Sequence, residues 1–148
     1  MNIYFIYEFL ADLGYTHPLH PAITHLSIGL VMGALIFHLI ALLPRHGKYA
    51  ATARHCGTLA FLGIFPTIIL GLMDWSYYYG ANWIFPIQMK LILAGALALL
   101  LFLSIILNAA GSPRPGRLLL IYLLSFASVA GLGYYGGEIV FGKSGPRA

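Results

Sequence analysis

The chain has 148 residues, 60% of them apolar and only 8% Asp, Glu, Lys or Arg, whereas a soluble domain carries about a quarter charged residues. Four acidic and eight basic side chains cannot cover a protein of mean hydropathy +0.87, so most of its surface faces lipid rather than water. A soluble globular domain and a disordered tail are excluded, and the single cysteine, Cys56, excludes a disulfide scaffold and a thiolate metal cluster.

Residues 1 to 15 are apolar but too short to span a bilayer, and they lack the basic start and small-residue cleavage site of a signal peptide. They read as a short interfacial helix, with Ile3, Ile6, Leu10 and Leu13 dipping into the membrane boundary and Glu8 and Asp12 in water. Four runs free of acidic and basic residues follow, at about 22–43, 55–73, 91–111 and 118–137, each near the roughly 20 residues a spanning helix needs. Pro44, the segment from Asp74 to Pro86 with Gly80 and Asn82, and the link Ser112-Pro-Arg-Pro-Gly116 separate them. Pro66 inside the second run is read as an architectural kink, with Thr67 beside the carbonyl it frees. The predicted fold is all-α: one membrane domain, 1–148, an up-down four-helix bundle preceded by the interfacial helix.

Charge placement gives an orientation. The first and third connections carry Arg45, Lys48, Arg54, Arg114 and Arg117 and no acid. The other side carries Glu8, Asp12, Asp74 and Glu138 against Lys90, Lys143 and Arg147, a net −1. The positive-inside rule then predicts a multi-pass protein of a bacterial inner membrane with both termini on the outer, periplasmic side, and Tyr77, Tyr78, Tyr79 and Trp83 in an outer aromatic belt. The net charge of +4 is a topology signal and no nucleic-acid footprint.

Polar side chains that lipid should reject mark candidate sites. On the inner side, His38 lies five residues before the end of the first span, roughly 7.5 Å along the axis, and His55 lies near the start of the second. Two imidazoles at one depth on antiparallel helices match bis-histidine ligation of haem b, with Arg45 and Arg54 placed for its propionates. The competing reading is an interfacial His55 and a neutral His38 bonded to a neighbouring helix. His25, Gly29 and Gly33 share one side of the first span, with Gly63 on the second, and fit either a groove for a flat porphyrin or close helix packing, as do Ala127, Ser128 and Gly131.

On the outer side, His17, His20, His25, Asp74, Lys90 and Glu138 gather from all four spans. Imidazole and carboxylate suit a divalent metal, the same groups can hydrogen-bond a quinone head, and Lys90 favours an ion-pair network with Asp74 or Glu138. No G-x-S-x-G, Walker A, H-E-x-x-H, C-x-x-C-H or dinucleotide glycine motif occurs, so hydrolase, nucleotide-driven and c-type cytochrome functions have no starting residue.

The stretch HPLHPAITHLSIGL, the ending GLMDW and the closing GYYGGEIVFGKSG together resemble a family of small bacterial inner-membrane proteins with a domain of unknown function. The resemblance covers nearly the whole chain from residue 17. It implies a four-helix membrane fold and draws His25, Asp74 and Glu138 together as a shared outer site, the candidate metal ligands. The chain departs from that family at His38, where an acidic residue is common, and at Gln88-Met89-Lys90, where a histidine is common.

The expected function is a membrane electron-transfer protein or redox-complex subunit holding haem b between His38 and His55 and exchanging electrons with a quinone or a cytochrome partner. The alternatives are a cofactor-free accessory subunit of a larger membrane complex and a metal-binding protein using His25, Asp74 and Glu138. A carrier or accessory role fits better than a stand-alone enzyme.

Overall fold

The computed structural model describes residues 4–111 and 114–141. Ile3, Lys143, Arg147, the Ser112-Pro113 part of the third link and the last residues of the closing motif lie outside them. Among the described residues the chain forms five helices: α1 (Phe5–Asp12), α2 (His20–Ala41), α3 (Tyr49–Tyr78), α4 (Phe85–Ala109) and α5 (Pro115–Phe141). The last four are each long and apolar enough to cross a membrane. At 22 to 30 residues they measure about 33 to 45 Å, against a hydrocarbon core of roughly 30 Å.

Helices α3, α4 and α5 outrun their charge-free runs because Arg54, Asp74, Lys90, Arg117 and Glu138 all sit within helical turns. A charge ends an apolar run, but it does not end the backbone hydrogen-bond ladder. Helix starts follow local chemistry instead. Pro21 and Pro86 lie in the first turns of α2 and α4, where a missing N–H leaves no helical bond unmade. The α2–α3 turn is closed by Arg45 at φ 68°, a left-handed conformation uncommon outside glycine.

The bundle consists of two closely packed hairpins, α2–α3 and α4–α5, which meet more sparsely across α3/α4 and α2/α5. Small residues set the closeness within the first hairpin. A Cβ on Gly63 would lie 3.1 Å from Ser27 Oγ, and one on Gly33 would lie 3.3 Å from Cys56 Sγ, so Gly33 and Gly63 serve helix packing, whereas Gly29 is exposed with nothing within 4 Å. Gly131 does the same in the second hairpin, where a Cβ would meet Leu93 at 2.9 Å. Midway along the bundle Val31, Ala60, Ile64, Leu97, Leu101 and Val129 close the interior with apolar side chains. Pro66 leaves α3 unbroken. Thr67 Oγ1 donates to the Gly63 carbonyl at 2.7 Å, so Ser27 Oγ donates in turn to Thr67 Oγ1 at 3.2 Å.

The short α1 docks on the end of α3 through aromatic rings. Tyr7 stacks on Tyr77 with centroids 4.5 Å apart and meets Tyr78 edge-on at 5.7 Å, while Tyr4 packs on Tyr77 at 5.4 Å. Phe5, Ile6, Phe9 and Leu13 remain exposed, the apolar face an interfacial helix presents to lipid. Tyr77 and Tyr78 therefore form the seat of α1, rather than a simple belt facing the membrane. Trp83 keeps the exposed position expected of a belt residue and packs on Trp75.

Candidate functional site: a polar-headed cavity at the α1 end of the bundle

The first-turn N–H groups of a helix have no partners within that helix and need an external acceptor. For α2 that acceptor comes from α3. Asp74, only 5% exposed, receives the His20 N–H on Oδ2 at 2.8 Å and the Leu19 N–H on Oδ1 at 3.2 Å, and Oδ1 also accepts the Tyr7 hydroxyl. The carboxylate thus sits at the positive end of the α2 dipole, where negative charge is favoured. It joins α1, α2 and α3 at one point. The Tyr7 hydroxyl, buried and facing this carboxylate, has its pKa pushed far above the ordinary tyrosine value, and burial together with the Asp74 charge raises that of Tyr79.

The same end of α3 positions His20. A Cβ on Gly71 would lie 2.9 Å from His20 Nδ1, so the missing side chain makes the notch that admits the ring. Nδ1 lies 2.8 Å from the Thr67 carbonyl. A carbonyl only accepts, so Nδ1 carries the proton; an ammonium only donates, so Nε2, which faces Lys90, presents a lone pair. Facing that lone pair at 3.4 Å is Lys90 Nζ from α4, which also lies 4.0 Å from where a Gly136 Cβ would stand on α5. A lysine ammonium has three donors. Among the described residues His20 Nε2 is its one hydrogen-bonding partner.

Below this polar group lies a cavity of about 470 Å³, walled by all four long helices. Its head holds His20, Asp74, Lys90, Trp75 and Tyr79, and its walls descend past Ile68 and Ala94 to Ile64, Leu97 and Val129. Lys90 and Leu97 are seven residues apart on α4, an axial depth of roughly 10 Å. The volume lies within the range of about 300–1,000 Å³ typical of small-molecule sites, and an apolar wall with a few convergent polar groups is their usual chemistry.

The residues expected to bind metal are not drawn together. Asp74 is committed to the α2 terminus and Tyr7, whereas His25 and Glu138 are exposed. No group of three or more His, Cys, Asp or Glu side chains suited to a metal occurs among the described residues. The ion-pair network expected of Lys90 is replaced by its contact with His20.

The haem pair is separated as well. His38, 4% exposed, belongs to the buried stripe of α2 with Ser27, Val31, Ala34 and Leu35. Its Nε2–H donates to the Pro115 carbonyl of α5 at 3.1 Å, and its ring meets Tyr122 edge-on at 5.3 Å. The buried stripe of α3 runs through Ala53, Gly57, Ala60 and Ile64. His55 stands two residues from both Ala53 and Gly57, about 200° around the helix, and is exposed, as are Arg45 and Arg54. One imidazole turns into the bundle and the other out of it.

His20 and Lys90 belong to the outer polar group expected from the sequence, but their contact with each other and the Gly71 notch do not show in composition or spacing: His20 enters the polar head, His25 lines the cavity below it, and Lys90 supplies the donor. A signal was present. Gly71 and Asp74 are three residues apart and share one face of α3, and Pro21 marks the first turn of α2 and so fixes where His20 stands.

No curated protein and no solved structure matches the chain. Residues 16–144 match the DUF2231 family, described as a predicted membrane protein family, and this span takes in all four long helices and the cavity. The chain is a four-span helical membrane protein and belongs to the DUF2231 family.

Proposed function

We propose that this protein binds an amphipathic membrane ligand in the cavity, and that an isoprenoid quinone is the class of ligand that fits it. The observation that carries the reading is the Lys90 ammonium at the head of an apolar cavity, with a neutral imidazole as its single hydrogen-bonding partner among the described residues. A ring carbonyl accepts from such a donor without placing a second charge in the membrane. Trp75 and Tyr79 line the same end and offer aromatic surfaces for a ring to pack against. The role is that of a quinone-binding carrier or redox-complex subunit. Haem ligation is not part of the proposal, because His38 is engaged with Pro115 and His55 is exposed.

The two tryptophans of the chain, Trp75 and Trp83, pack on each other with centroids 4.5 Å apart, so intrinsic fluorescence reports on the cavity head. Titration of the protein in lipid nanodiscs with a short-chain quinone is expected to quench that fluorescence saturably. Lys90→Met should weaken binding by about tenfold or more, since a hydrogen bond to a charged group contributes roughly 1.5–3 kcal/mol. Quenching that rises linearly without saturation, or a Lys90→Met curve matching the wild type, overturns the proposal.

A further inference from the structure

We infer that the cavity opens sideways into the bilayer between α2 and α5, and that this portal holds the tail of the ligand while its head rests at Lys90. The inference rests on the quinone reading above and adds the route and the posture.

Of the exposed residues that line the cavity, Pro21 and His25 lie on α2 and Gly133, Val140 and Phe141 on α5, against Leu72 alone on α3. The cavity wall and the outer surface are the same residues there. The two helices meet only sparsely along this seam. Glycines explain why the seam stays open. A Cβ on Gly133 or Gly137 would meet nothing within 4 Å, whereas one on Gly131, on the α4 side of the same helix, would strike Leu93 at 2.9 Å, and one on Gly63, between α2 and α3, would lie 3.1 Å from Ser27 Oγ. Gly63 and Gly131 have neighbours in their notches, and Gly133 and Gly137 do not.

Depth makes an exit necessary. The cavity descends roughly 10 Å from Lys90 to its floor at Leu97, while one leaflet of hydrocarbon is about 15 Å deep. A ring bound at Lys90 uses part of that depth, so a leaflet-length tail does not fit beneath it. The tail must leave through a wall, and the α2/α5 seam is apolar apart from His25 and opens on lipid.

The test introduces Gly133→Leu and Gly137→Leu to fill the seam. The control is Gly95→Leu, on α4, a position that is also exposed with open space beside it but does not line the cavity. Each protein is titrated by tryptophan quenching in nanodiscs with a long-tailed quinone and with a substituted benzoquinone that has no tail. The portal variants should lose about tenfold or more affinity for the tailed probe beyond any loss for the tail-less probe, while Gly95→Leu keeps wild-type affinity for both; equal losses for the two probes overturn the portal. Wild-type binding of the tailed probe with portal variants indistinguishable from it overturns the portal while the quinone reading stands. A wild type that binds neither probe overturns both. Where a leucine prevents folding, as judged by circular dichroism, Gly133→Ala and Gly137→Ala together narrow the same seam and are held to the same outcomes.

Discussion

Replacing Asp74 tests whether one carboxylate joins three helices. In Asp74→Ala the Leu19 and His20 N–H groups and the Tyr7 hydroxyl lose their acceptor together. Loss of a capping side chain costs about 1 kcal/mol, and loss of a charge at the helix terminus about another 1 kcal/mol in a partly buried setting. A buried hydroxyl left without a partner adds roughly 1–3 kcal/mol, so the whole change amounts to about 3–5 kcal/mol. Asp74→Asn keeps the shape and one acceptor oxygen. With that oxygen toward Tyr7 and Leu19, its amide meets the His20 N–H donor to donor, so about 2–3 kcal/mol is expected. Equilibrium unfolding in mixed micelles, followed by circular dichroism, measures both. A Tyr7→Phe background supplies the cycle: because Tyr7 contacts the carboxylate directly, the two changes should be non-additive by about 0.5 kcal/mol or more. An Asp74→Ala loss below about 1 kcal/mol, or strict additivity with Tyr7→Phe, would show that the carboxylate does not hold these elements together.

Two further outcomes follow from the same geometry. His38→Ala removes a buried ring and its bond to Pro115 and should destabilise the protein by about 2–3 kcal/mol, whereas His55→Ala, at an exposed position, should stay within about 0.5 kcal/mol; equal losses in the same unfolding assay would restore a shared role for the pair. The raised pKa of the Tyr7 hydroxyl means that the folded protein holds this proton more tightly than the unfolded chain, so its contribution is intact below about pH 10 and declines as pH rises above that value. Tyr7→Phe should therefore reduce the alkaline loss of stability measured between about pH 9 and 11.5, with Tyr79, also raised, retaining a part; unchanged slopes would refute the assignment.

The spanning helices are legible in the sequence because hydrocarbon excludes charge, and four uncharged runs of spanning length stand between charged links. Their ends were less legible, since Lys90 and Asp74 interrupt the runs while lying on helices whose backbones continue past them. The site was half legible. Polar residues at the ends of the spans do converge, as expected, but which of them meet depends on rotation about each helix axis. His38 and His55 match in depth and differ in facing, a distinction that the buried spacing Ala53, Gly57, Ala60, Ile64 carries and that depth alone does not. His20 displaced His25 for a similar reason: the first turn of α2 points at the Gly71 notch, and His25, five residues on, lies at the edge of the cavity. Residue type pairs Lys90 with a carboxylate, but Asp74 is engaged by backbone donors from 54 and 55 residues away, a pairing no local pattern announces.

The bond from Asp74 to the start of α2 also fixes the phase of the first hairpin. Each residue added to a helix turns everything beyond it by about 100°, so a single insertion in α3 between Gly57 and Asp74 would swing the carboxylate off the α2 terminus while Gly57 stayed against Tyr122. An insertion in the exposed turn from Leu43 to Lys48 leaves both anchor points in step. Length variation in this hairpin is therefore tolerable at its bend and disruptive along its shaft.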